Sequence, residues 1–136
     1  MPFNQIHWLA VVIGTVAFMI LGWLWYGPFF GKPWLEAMAK IGRKRENMQM
    51  SPVGWPLTII SAFVANLALD LIIIAFSATS WWMGLIAGAV VWIGVGATSH
   101  TNSSIFEGRP WFLWTLFFFY ELVVYAGMGV VYAIWR

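Results

Sequence analysis

Two acidic residues lie where a charge is costly. Asp70 and Glu121 fall inside long apolar runs that contain no Lys or Arg, and a charged side chain at the centre of a bilayer is unfavourable by several kcal/mol unless it is protonated, paired or hydrated. Asn66 stands four residues before Asp70 and Tyr125 four after Glu121, so each acid has a hydrogen-bonding neighbour one turn away on its own helix face. Counted at about 1.5 Å per residue from the ends of their runs, Asp70 is roughly 20 Å deep and Glu121 roughly 15 Å. That spacing allows one polar cluster, which could hold a proton or a cation inside the membrane as a transporter or channel does. The alternative is that both acids are neutral and fix helix packing through hydrogen bonds. With no basic side chain at their depth, both are expected to face the bundle or oligomer interior, and at least one to carry a proton near neutral pH.

A second polar set is the hydroxyl-rich run Thr98-Ser99-His100-Thr101-Asn102-Ser103-Ser104, followed by Glu107 and Arg109. Imidazole titrates near neutrality, so His100 could relay protons at a mouth shared with Asn102, Glu107 and Arg109, where Arg109 attracts an anion. Helix capping and a Glu107–Arg109 turn explain the same residues as plain structure. Other chemistry has little to work with. The chain has no cysteine, which removes disulfides, thiolate metal sites and thiol nucleophiles. His7 and His100 are expected on opposite sides of the membrane, neither at a ligand spacing with another His or Glu, so no metal is expected. No nucleophile, base and acid converge and no glycine-rich phosphate loop occurs, so neither an enzyme nor a cofactor is expected. A net charge of +2 is too small to suggest nucleic acid as a partner.

The elements that must position these residues follow from composition. Of 136 residues, 62% are apolar and 9% charged, whereas a soluble domain carries roughly a quarter charged residues. The bilayer is therefore the expected partner and solvent. A spanning helix takes about 20 apolar residues, and runs at about 6–26, 55–76, 81–101 and 111–135 predict an all-α, integral membrane four-helix bundle forming one domain. Lys32, Lys40, Arg43, Lys44, Arg45 and Arg109 fall in the first and third loops, and only Arg136 falls on the other side. That bias puts both loops in the cytoplasm and both termini outside. Tryptophans near the span ends fit interfacial anchoring, with Trp92 alone in mid-span. In the segment 28–52, Pro33 suits a first helical position, and Trp34, Leu35, Met38 and Ile41 share a face. The pattern predicts a short cytoplasmic interfacial helix over Pro33 to Ile41. Gly84 and Gly88 form a small-residue step through which the second, third and fourth spans are expected to meet closely.

Three stretches carry a family likeness: His7-Trp8-Leu9-Ala10; Gly22-Trp23-Leu24-Trp25-Tyr26-Gly27-Pro28 continuing to Phe30-Gly31-Lys32-Pro33-Trp34; and Phe106-Glu107-Gly108-Arg109-Pro110. Together they resemble the domain-of-unknown-function family 1761 over nearly the whole chain. The resemblance implies a small four-span protein of the bacterial inner membrane, and no activity. Three functions are then in play: a small oligomeric transporter or channel built on Asp70 and Glu121, a membrane module binding an apolar or aromatic small molecule, or an accessory subunit of a larger membrane complex. Four helices scarcely enclose a wide pathway, so transport would call for a homo-oligomer or larger complex.

Overall fold

The computed structural model describes residues 3–49 and 51–135. Arg136, the single basic residue counted for the far side, lies outside them, as does the side chain of Arg45. Helices are the only regular structure among the described residues. They are α1 (Trp8–Leu24), α2 (Gly31–Ala39), α3 (Gly54–Ala75), α4 (Trp81–Val91), α5 (Thr98–Phe106) and α6 (Trp111–Ile134). Four helical stretches are long and apolar enough to cross a membrane: Trp8–Phe29, Gly54–Ala75, Trp81–Phe106 and Trp111–Ile134.

The first and third stretches contain wide π-helical turns. Trp25–Phe29 extends α1, because Pro28 has no N–H to give and its ring crowds the carbonyl four residues back. The Phe30 N–H instead reaches five residues back to the Trp25 oxygen, 3.0 Å away. Trp92–Ala97 joins α4 to α5 in the same way. The third stretch thus runs past Thr101, where the apolar run ends, to Phe106. Its hydroxyls do not cap a helix end: Thr98 and Thr101 donate to the carbonyls of Gly94 and Ala97 within the helix, which lets polar residues continue it.

Two glycines stop helices. Gly42 (φ +79°) and Gly108 (φ +63°) take the left-handed conformation that favours glycine. In each case the next residue's N–H closes onto a carbonyl five back: Arg43 on Met38 and Arg109 on Ser104, both at 3.0 Å. The Glu107-Gly108-Arg109-Pro110 stretch is therefore a helix stop followed at once by the start of α6.

The closest helix pair is α4 against α6. A Cβ on Gly84 would overlap the Gly129 carbonyl, and one on Gly88 the Tyr125 carbonyl, so the two backbones touch. Gly129 completes this approach from the α6 side. At both Gly84 and Gly88 the crowding atoms all belong to α6, none to α3. Helix α1 packs on α3 and α6, and its two glycines seat tyrosines of α6: Gly14 lies under the Tyr132 hydroxyl and Gly22 under that of Tyr120. The core centres on Ala10, Val11, Leu69, Ile73, Val124 and Tyr132. The outer surface stays apolar, with Leu9, Ile20, Ile60, Val64, Val90 and Val123 all more than half exposed, as suits helices that face lipid.

Candidate functional site

The structure arranges the polar interior in two groups. Asp70, on α3, is fully enclosed and accepts a hydrogen bond from the His7 backbone N–H at 3.0 Å. A carboxylate there faces the N-terminal end of α1, where the helix dipole and free N–H groups favour negative charge. One turn earlier, Asn66 donates to the Ala62 carbonyl at 2.8 Å and accepts from the Tyr132 hydroxyl at 2.7 Å. Both of its amide atoms are thus committed, the second of them to α6.

Glu121 heads the other group. It is 7% exposed, and among the described residues nothing donates a hydrogen bond to it and no cation pairs with it. Tyr120 and Tyr125 lie beside it on α6 and Tyr26 meets Tyr120 at 5.6 Å, yet the contacts of the two α6 tyrosines are elsewhere. Tyr120 donates to the Phe18 carbonyl at 3.0 Å, and Tyr125 stacks on Trp92 at 5.9 Å and 22°. Between the two groups is a void of about 10 Å³ lined by Phe18, Asn66, Val124, Tyr125 and others, room for about one water.

The end of the bundle that carries α2 is more open. A pocket of about 440 Å³ is lined by Tyr26, Trp34, Met38, His100, Arg109, Leu113 and Phe117. Each element contributes for a local reason. The π turn swings Tyr26 off the end of α1, and the Trp25 indole N–H anchors that turn to the Leu116 carbonyl at 3.2 Å. Helix α2 follows at once, starting at Gly31 rather than Pro33 because the Trp34 N–H already bonds to the Phe30 carbonyl at 2.9 Å. It ends at Ala39, before Ile41, where the Gly42 turn closes. Trp34 and Met38, part of the apolar stripe read as membrane-facing, turn into the pocket, while Ala37 is buried. That stripe therefore has a use inside the protein.

Of the four residues read as a mouth, His100 and Arg109 line this pocket, whereas Asn102 and Glu107 are exposed and are not among its lining residues. His100 packs on Phe117 with ring centroids 4.2 Å apart, and its buried Nε2 has no hydrogen-bond partner among the described residues. Arg109 is ion-paired with Glu107 on the same turn. No three possible metal ligands gather anywhere among the described residues.

Of the aromatic and apolar walls, Trp34 and Met38 were singled out from sequence only as part of a membrane-facing stripe, and Tyr26, Leu113 and Phe117 were not taken as site residues. A signal existed: Trp34 with Met38 and Leu113 with Phe117 are pairs four apart, each lining one helix face. Tyr132 was also missed, although it sits three turns beyond Glu121 on the same stripe of α6.

The model of a family described as "Protein of unknown function (DUF1761)" matches residues 9–133. No curated protein and no solved structure matches the chain.

Proposed function

We propose that this chain, which belongs to the DUF1761 family, is a membrane-embedded module that binds a small amphipathic molecule with an aromatic or apolar body in the pocket beneath α2. The observation that carries this reading is the pocket itself. Its volume of about 440 Å³ falls in the range of small-molecule sites, roughly 300–1,000 Å³. Apolar walls from α1, α2 and α6 surround two polar groups, His100 and Arg109, the mixture that orients a ligand within an otherwise greasy cavity.

Transport is a further step that this reading does not require. The acids are buried and the space between their groups holds about one water, so passage through the bilayer would draw on an oligomer or on helix movement. Placement of α2 at the cytoplasmic surface of a bacterial inner membrane, expected from the basic loops, would open the pocket to that side.

The chain lacks cysteine, which allows a direct test. Met38→Cys lines the pocket and Leu69→Cys sits in the core. In the reconstituted protein a small neutral maleimide should label position 38 at least ten-fold faster than position 69, and a neutral fluorescent naphthalene dye should bind and slow that labelling. Equal, slow labelling at both positions would end the reading.

A further inference from the structure

The chemistry around the pocket discriminates by charge. Tyr26 and Trp34 meet at 5.4 Å with their planes 60° apart, so they form two walls of a corner. Phe117, from α6, supplies another aromatic wall. Ring faces carry partial negative charge and attract cations, most strongly where water is excluded.

Glu121 follows Phe117 by one turn of α6 and is enclosed without a hydrogen bond or ion pair among the described residues. Tyr26 joins the two places, since it lines the pocket and meets Tyr120, the residue before Glu121, edge to face at 5.6 Å. The positive groups nearby are weaker competitors. Arg109 is exposed and already paired with Glu107, and Lys32 lines a neighbouring hollow rather than this pocket.

We infer that the pocket takes a lipophilic organic cation, an onium or protonated amine carried on an aromatic body, with Glu121 as the buried counter-charge behind Tyr26, Trp34 and Phe117. This rests on the ligand-binding reading above and names its substrate class. A neutral ligand leaves Glu121 to carry its own proton and gains nothing from the carboxyl, whereas a cation can take that proton's place. An anion would meet the carboxylate and the ring faces with the wrong sign, and the guanidinium on the pocket wall, Arg109, is already held by Glu107. A cation satisfies carboxylate and ring faces at once, and their attraction grows as the local dielectric falls.

Tetraphenylphosphonium and tetraphenylborate, alike in shape and opposite in charge, separate the possibilities. Saturable binding of each is measured by equilibrium dialysis in phosphatidylcholine nanodiscs, above that of protein-free discs. The expected result is saturable phosphonium binding at least ten-fold tighter than borate binding. It should weaken at least ten-fold in Glu121→Gln and in Phe117→Ala, and stay within a few-fold of wild type in Glu121→Asp. Should Glu121→Gln fail to fold, the two-probe comparison on the wild-type protein decides alone. Equal binding of both ions, or full phosphonium affinity in a folded Glu121→Gln, overturns the cation assignment and leaves the pocket standing. The same follows if neither ion binds while Met38→Cys is labelled quickly and the neutral dye binds. If neither ion binds and Met38→Cys is also unreactive, the pocket reading falls too.

Discussion

Asn66 and Tyr132 show how one residue pair fixes the relation between helices. Their hydroxyl–amide bond, 2.7 Å long, joins α3 to α6 inside the core, and Gly14 of α1 makes room for it. A Cβ at position 14 would lie 2.5 Å from both the Asn66 Oδ1 and the Tyr132 hydroxyl. Tyr132→Phe leaves the buried amide oxygen without its donor, a loss of about 1–3 kcal/mol, and should lower the unfolding temperature in detergent. Gly14→Ala should also destabilise, by roughly 1–3 kcal/mol from overpacking. Because the Tyr132 hydroxyl is one of the obstructing groups, Gly14→Ala should cost less in the Tyr132→Phe background than in wild type. Strict additivity in that double-mutant cycle would contradict the three-helix junction.

At the scale of the element, α4 and α6 depend on the absence of side chains. The Tyr125 carbonyl that faces Gly88 is backbone, so a larger residue cannot be accommodated by a rotamer change and must push the helices apart. Gly88→Leu should destabilise by several kcal/mol, or alter the assembly size seen by light scattering, since membrane helices associate mainly through this close packing. Gly94 offers the control: a Cβ there meets nothing within 4 Å, so Gly94→Ala should be near neutral or slightly stabilising. Comparable losses in both variants would mean that something other than the α4–α6 contact is being measured, since both substitutions raise helix propensity. Helix α2 is the other element whose role depends on context, because its apolar residues divide between a pocket wall and the outside.

For the whole molecule, the pocket and the basic loops lie at the same end of the bundle, since Arg109 belongs to both. Sidedness therefore decides from which compartment a ligand would enter. The excess of Lys and Arg in the first and third loops predicts that this end is cytoplasmic. Single cysteines in place of Phe3 and Lys44, both exposed, test it in intact cells. An impermeant maleimide should modify position 3 and spare position 44 until the membrane is opened, and the opposite pattern would place the pocket outside.

The number of long helices, their approximate limits and the buried acids were legible in the residues alone, because crossing a membrane is a matter of apolar length and because a lone carboxylate in an apolar run stands out. A short helix near Pro33 was legible too, because Trp34, Leu35, Met38 and Ile41 recur at helical spacing among charged residues. Which faces meet was not legible, for the same physical reason that made the spans obvious. In water, the polar side of a helix marks its outside; a bilayer is as apolar as a protein core, so Leu69 and Ile73 in the core and Ile60 and Val64 on the surface of the same helix α3 are alike in type. Helix rotation is then set by shape, with Gly14, Gly84, Gly88 and Gly129 admitting particular neighbours. That shape fit, visible only in three dimensions, commits Asn66 to Tyr132, leaves Glu121 without an ion pair among the described residues, and turns Trp34 and Met38 into a pocket wall.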